Sequence, residues 1–182
     1  MENKFNLCPN CGSKNIQWRN GKKWLCPDCG FDLYCNVAAA VGIVLYDDEN
    51  NLLFEVRAKE PRKGFLCLPG GFVDPDERAE DAVVRECREE LGAEVLGAEF
   101  LCSYPNTYVY KNIEYKTCDI FFKTKLSSKY ENMEAFVKTL HREESEVVRF
   151  EIRKVQTASD VEALPLAFES AHKTLLKFLE EK

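Results

Sequence analysis

Val37 to Leu45 (VAAAVGIVL) is an uninterrupted apolar run, and Leu52 to Val56 is a second one beyond the polar break Asp47-Asp48-Glu49-Asn50-Asn51. Short apolar runs bounded by turn residues predict buried strands, here joined as a hairpin. Arg57 to Gly64 reads as a basic loop, and Phe65 to Leu68 as a short strand running into Pro69-Gly70-Gly71. Ala79 to Leu91 reads as a helix, with Gly92 placed to end it as a left-handed cap. Val95 to Tyr104 and Tyr115 to Lys125 are strand-like, joined through Pro105-Asn106-Thr107-Tyr108. Met133 to Leu140 is a short helix or an irregular loop, and Val147 to Val155 alternates in part like a strand. From Phe168 to Glu180, Phe168, Ala171, Leu175, Leu176 and Leu179 recur at amphipathic helical spacing. Strands that are both paired and interleaved with helices predict an α+β fold, a mixed sheet covered by helices.

Before residue 35 the pattern changes. Cys8-Pro9-Asn10-Cys11-Gly12 and Cys26-Pro27-Asp28-Cys29-Gly30 are near copies. Each can turn two thiolates toward one ion, with glycine allowing positive φ after the second cysteine. Cys8, Cys11, Cys26 and Cys29 suit a tetrahedral Zn²⁺ in a closed structural site. Between them Asn20-Gly21 separates two short runs, a strong hairpin pattern. Together these features resemble a zinc ribbon over residues 1–34, leaving 35–182 as the main domain. A module this short buries too little apolar surface alone, so the metal should stabilise it. Lys14, Arg19, Lys22 and Lys23 beside Trp18 and Trp24 could contact nucleic acid. The favoured reading is a solvated hairpin whose tryptophans pack against the next domain.

Charge supports that preference. The 182-residue chain carries a net charge of −6, whereas binding to a nucleic-acid backbone favours a basic surface. No apolar run approaches membrane-spanning length and the N-terminus lacks an apolar signal core, so no membrane partner and a cytoplasmic location are expected. Nine cysteines are present. Beyond the two CxxC pairs, Cys35, Cys67, Cys87, Cys102 and Cys118 lie scattered in apolar segments, which fits free thiols in a reducing compartment.

The helix at 79–91 concentrates the chemistry. With Glu86 at zero on a helical wheel, Glu90 lies about 40° to one side and Glu89 about 60° to the other. Three like charges so placed repel by a few tenths of a kcal/mol per pair. Glu89 and Glu90 also oppose the helix dipole in the last turn. A local conflict of this kind marks a functional site, and divalent cations would relieve it. Oxygen donors without histidine or cysteine point to Mg²⁺ or Mn²⁺.

A solvated acidic face is the bland alternative, and the spacing argues against it. Gly71, Glu77 and the run Arg85-Glu86-Cys87-Arg88-Glu89-Glu90-Leu91-Gly92-Ala93 fit GX5EX7REUXEEXGU throughout, with U apolar. Such a match arises by chance on the order of once in a hundred million starts. The stretch resembles the signature of the Nudix hydrolases. That resemblance implies an α/β/α sandwich and hydrolysis of a nucleoside diphosphate linked to another moiety, X. It implies that Glu86, Glu89 and Glu90, with the Gly70 carbonyl, hold Mg²⁺ or Mn²⁺, and that Glu77 and Arg85 brace the loop against the helix. A general base would come from this helix or from a later loop such as Glu143-Glu144-Ser145-Glu146.

A zinc ribbon before a Nudix domain is also similar to the NADH diphosphatases. Ser103-Tyr104-Pro105-Asn106-Thr107-Tyr108, however, lacks most of their SQPWPFPxS motif. The expected substrate is a small nucleotide such as ADP-ribose, NADH or a dinucleotide, with Arg57, Tyr104, Asn106 and Tyr108 as candidate contacts and Arg62 and Lys63 as phosphate attractors. The competing readings are a nucleotide- or nucleic-acid-binding regulator and a hydrolase of RNA 5′ ends that uses the ribbon as contact module. A homodimer is the default assembly.

Overall fold

The computed structural model describes residues 5–93, 95, 97–111, 113–142 and 144–181. The chain divides into two compact units, residues 1–37 with 107–116, and residues 38–106 with 117–182.

In the first unit β1 (Gln17–Arg19), β2 (Lys23–Leu25) and β3 (Asp32–Tyr34) form an antiparallel sheet in that order. Asn20 and Gly21 both have positive φ, 54° and 67°, as a two-residue turn between right-twisted strands requires. The two cysteine turns repeat one hydrogen-bond pattern. Gly12 N–H donates to the Cys8 carbonyl and Gly30 N–H to the Cys26 carbonyl, both at 2.9 Å. Trp18 and Trp24 face each other across β1 and β2 with ring centroids 5.1 Å apart, and Phe5 meets Trp24 edge-on at 5.3 Å. These rings pack on one another within the ribbon.

The second unit is built on β4 (Ala38–Tyr46), β5 (Asn51–Arg57), β6 (Leu66–Cys67), β7 (Glu99–Tyr110), β8 (Ile113–Lys125) and β9 (Val147–Lys154). The sheet order is β6-β5-β4-β8-β7, with β9 also paired to β5. It is mixed. β4 runs parallel to β8 from Ala38↔Thr117 to Tyr46↔Lys125, whereas β5 pairs antiparallel with β9. The outer ends of β7 and β8 fall in the ribbon's unit.

Helices cover both faces. α1 (Ala79–Leu91) and α2 (Met133–Val137) bury Ala82, Val83, Cys87, Leu91, Met133 and Phe136 with Val41, Ile43, Leu53 and Phe122. α3 (Ala158–Glu162) and α4 (Glu169–Glu180) bury Val161, Ala171, Leu175 and Phe178 with Val44, Phe54, Leu101 and Phe121. Alternate residues of each strand thus serve the two cores, which makes an α/β/α sandwich. Among the described residues no helix is long and apolar enough to cross a membrane.

Three expectations change. Pro105-Asn106-Thr107-Tyr108 is not a turn but lies inside β7, and the chain turns at Lys111, whose φ is 46°. Proline is tolerated there because β7 is the last strand of the sheet order, where a missing N–H costs no ladder bond. The β4–β5 hairpin pairs only at Tyr46↔Leu52, because the inner part of β4 is engaged by the loop before α1. Val41 N–H donates to Gly71 O at 2.8 Å, Ile43 N–H to Pro69 O at 3.0 Å, and Val73 N–H to Ala39 O at 3.0 Å. The short α3, begun by a reciprocal Thr157–Asp160 capping box, was not apparent from periodicity because five residues hold little more than one turn.

Candidate active site

The loop zipped onto β4 presents Gly70 and Gly71 to α1. Gly70 has φ 139°, a conformation open to glycine, and a Cβ there would overlap the Val41 carbonyl oxygen. Its N–H donates to Glu90 Oε2 at 2.8 Å. A Cβ on Gly71 would come within 2.6 Å of Glu86 Oε1. The double glycine lets backbone approach two helix carboxylates that side chains would displace.

Arg85 ties the other end of the loop to the helix. Its Nε and Nη2 donate to the two oxygens of Glu77, each at 2.9 Å, and Nη2 also reaches the Phe72 carbonyl at 2.9 Å. Its Nη1 donates to Glu86 Oε1 at 2.8 Å and Glu89 Oε2 at 3.2 Å. The planar fork explains why arginine rather than lysine suits this position. The Arg85 hydrogen bonds, first among several effects, hold the Glu77 carboxyl below its ordinary pKa.

The three carboxylates of α1 share one side of the helix but not one environment. Glu89 is exposed. Glu86 is largely covered, and burial raises its pKa while Arg85 works the other way. Glu90 is pushed up to about 8, by burial first, with the Gly70 N–H opposing and Glu86 adding to the rise.

A fourth carboxylate, which the sequence reading missed, belongs with them. Glu55 on β5 is 1% exposed. Burial drives its pKa well above the carboxylate range, and the adjacent Glu90 charge adds to this. The Cys67 thiol lies 4.0 Å from Oε2, while the buried Oε1 has no hydrogen-bond partner. The signal was present: Glu55 is a lone charge inside Leu52-Leu53-Phe54-Glu55-Val56, a run otherwise wholly apolar.

These donors fit a hard divalent cation in kind, being oxygens with uncompensated negative charge. They are not drawn together to coordination distance. Among the described residues the group whose ligand atoms all lie within 4.8 Å of one another is Cys8, Cys11, Cys26 and Cys29. There the sulfurs of Cys8 and Cys29, and of Cys11 and Cys26, are 3.7 Å apart. That is far beyond a disulfide bond, and near the edge, about 3.8 Å, of a tetrahedron with Zn–S arms of about 2.3 Å. A side-chain hydrogen bond from Asn10 leads the effects that lower the Cys29 thiol to about 6. Cys11, against the lowering backbone bond at Ser13, is pushed up to about 12 by its hydrogen bond to Cys29, so without metal the thiolate resides on Cys29 of this pair.

The substrate candidates are dispersed. Arg57 gives its Nε to the Pro61 carbonyl at 2.9 Å and sets its guanidinium over the Phe168 ring. Tyr104 and Asn106 are half-buried at alternate positions of β7, in phase with Cys102, whose Sγ lies 3.6 Å from Thr174 Oγ1 of α4. Asn106 donates to Asp119 Oδ2 at 2.9 Å, and Asp119 also accepts from Ser170 of α4 at 2.7 Å. This is the α4 face of the sheet, whereas α1 packs on the other. Tyr108 belongs to the ribbon's unit. In the late acidic loop, Glu144 pairs with Arg142, Glu146 pairs with Lys59 and adds to the field on Glu90, and Glu143 lies outside the described residues.

An α/β/α sandwich whose loop-braced helix carries an acidic cluster defines the class. Residues 37–177 match the NUDIX domain, and the chain belongs to that family. It is 33% identical over 103 residues to "NAD-capped RNA hydrolase NudC" of Pseudomonas aeruginosa, a match covering 56% of this chain and 35% of that protein. It is 45% identical over 62 residues to "ADP-ribose pyrophosphatase" of Methanocaldococcus jannaschii, covering 34% of this chain and 36% of that protein. The matches thus span about a third of the length of these relatives. The crystal structure of a NUDIX hydrolase from Nitrosomonas europaea superposes with a TM-score of 0.58 at 23% identity, covering 97% of this chain and 91% of that one.

Proposed function

We propose that the chain is a divalent-cation-dependent hydrolase that cleaves the diphosphate linkage of a nucleoside diphosphate joined to another group, X, with ADP-ribose, NADH and dinucleotides as the substrate class. The observation that carries this reading is the anchoring of Gly70–Glu90 and Arg85–Glu77–Glu86, which positions carboxylates against a glycine loop on a family-matched helix. In this reading Glu86, Glu89 and Glu90, with the Gly70 carbonyl, hold Mg²⁺ or Mn²⁺. Such a cation supplies charge neutralisation of the diphosphate and a lowered pKa for the attacking water. Arg85 keeps Glu86 and Glu89 oriented, and Glu77 keeps Arg85 in place. Glu146, whose field reaches Glu90, is the late-loop carboxylate assigned to accept the proton of water. Residues 1–34 act as a Zn²⁺-stabilised ribbon, and 35–182 carry the chemistry. The names of the two relatives support this substrate class.

A second reading is hydrolysis of a dinucleotide-capped RNA 5′ end, favoured by the NudC relative and by Arg19, Lys22 and Lys23 around the ribbon hairpin. One panel tests both readings. ADP-ribose, NADH, dinucleoside polyphosphates, nucleotide sugars, nucleoside triphosphates and NAD-capped RNA are incubated with Mg²⁺ or Mn²⁺ and the products identified. Turnover of small nucleotides with little salt dependence supports the first reading, and preference for capped RNA with steep salt dependence supports the second. No turnover of any compound would refute hydrolysis and leave a binding regulator.

A further inference from the structure

Glu55 occupies a place where the fold has no use for a carboxylate. Within β5 the residues from Leu52 to Val56 are all buried. Strand alternation puts Glu55 on the face of Leu53, which packs in the core under α1. Leu53, Phe54 and Val56 supply the apolar packing of this strand, and a leucine at position 55 would continue it. Instead the strand carries an acid whose Oε1 is buried without a partner. Leaving such a group unsatisfied costs about 1–3 kcal/mol. An acid kept for structure would be expected to find donors for both oxygens.

Its surroundings say what the missing partner is. The groups acting on Glu55 from α1 are the carboxylates of Glu90, with which it shares a side-chain hydrogen bond, and of Glu86. From β6 comes the thiol of Cys67, a weak donor that reaches Oε2; Oε1 is left without a partner. Arg57, the cation whose field reaches it, gives its Nε to the Pro61 carbonyl. The site therefore gathers carboxylates from a strand and a helix, and although the Gly70 N–H reaches Glu90 and Arg85 reaches Glu86, neither donor meets Glu55 Oε1. A divalent cation binding oxygen ligands would complete it, and a strand in the middle of a sheet holds a ligand more rigidly than a loop.

We propose that Glu55 is a further ligand of the cation centre at α1, its buried Oε1 joining the oxygens of Glu86 and Glu90. The inference rests on the cation-dependent reading above and extends its ligand set to a residue outside the box.

Mn²⁺ binding to the zinc-loaded 182-residue chain tests it, by calorimetry and by the electron paramagnetic resonance of free Mn²⁺, in wild type, Glu55→Gln, Glu55→Leu and Glu90→Gln. Both Glu55 variants are expected to weaken Mn²⁺ binding on the order of tenfold to a hundredfold. Both are also expected to melt at a higher temperature than wild type without Mn²⁺ and to gain less on its addition. Glu55→Leu keeps the test decisive should Glu55→Gln fold poorly, because it restores an apolar strand. Wild-type affinity and stoichiometry in a folded Glu55 variant would overturn the proposal, as would equal losses of melting temperature with and without Mn²⁺. Weakened binding in Glu90→Gln alongside unchanged binding in the Glu55 variants removes Glu55 and leaves the cation-dependent reading standing. Absence of Mn²⁺ binding in wild type removes both.

Discussion

The amide of Gly70 donates to Oε2 of Glu90 at 2.8 Å, so a loop residue twenty positions upstream orients a carboxylate in the last turn of α1. The loop can do this because it is itself laced to β4 through Pro69, Gly71 and Val73. Sheet, loop and helix are thus coupled through one backbone N–H. The two adjacent glycines have different jobs, and substitution separates them.

Gly70→Ala should destabilise the domain by roughly 3 kcal/mol or more. It forces a side chain into positive φ and into the Val41 carbonyl, backbone that cannot easily move. Gly71→Ala should leave stability within about 1 kcal/mol, because its Cβ meets only the end of the Glu86 side chain. Displacing that carboxylate should still lower kcat/KM on the order of a hundredfold. Urea unfolding and steady-state kinetics on both variants check this, and comparable stability losses in the two would contradict the distinction.

Arg85→Lys retains charge but loses the fork that grips Glu77, Glu86 and Glu89 together. Activity should fall by at least an order of magnitude, with stability lower by about 1–3 kcal/mol. The brace also predicts a pH dependence. Arg85 holds the folded-state pKa of Glu77 below its ordinary 4.5. A depressed carboxyl contributes stability that is present above the unfolded pKa and is lost as pH falls through the folded one. The stability difference between wild type and Glu77→Gln should therefore be constant near pH 6 and shrink below about pH 4.5. Unfolding curves from pH 6 to pH 3 measure it, and a gap that widens with acid would contradict the brace.

The parts legible in the sequence are those where local pattern and tertiary structure agree. Both ends of α1 could be read because the apolar spacing stops where Gly92 takes φ 63°, a conformation glycine adopts without strain. The two CPxCG turns could be read because their ligand spacing is local. Pro105 misled because its meaning depends on whether a strand lies at an edge, which only the sheet order reveals. Glu55 was passed over because a run of five buried residues reads as apolar whether or not one of them is an acid, and its neighbours Glu86 and Glu90 are more than thirty positions away in the chain. Asn106 points to the Asp119–Ser170 network for a similar reason: the partner helix lies more than sixty residues downstream.

Glu90→Gln and Glu89→Gln should each lose several kcal/mol of transition-state stabilisation, on the order of a hundredfold or more in kcat, if these carboxylates hold the cation. Their stabilities should differ. Burial first, and the Glu86 charge after it, disfavour the ionised form of Glu90 in the folded state, so Glu90→Gln removes that cost and should raise the melting temperature measured without Mg²⁺ or Mn²⁺. Glu89 is exposed and bonded to Arg85 at 3.2 Å, so its loss should change the melting temperature little. Near-normal turnover in both variants would remove the assignment.

Removing zinc should unfold the ribbon selectively, and the chain provides its own probe. Its two tryptophans, Trp18 and Trp24, both lie on the ribbon hairpin. They pack at 5.1 Å on a sheet of three-residue strands. So small a sheet cannot offset its own ordering entropy without the tetrathiolate site. Chelation should therefore red-shift the tryptophan emission and expose the segment from Phe5 to Val37 to protease, with both effects reversed by added Zn²⁺ but not by Mg²⁺. Cys29→Ser should give the same shift without chelator. Unchanged emission and protease resistance after complete removal of zinc would mean that the four cysteines do not stabilise this module through a metal.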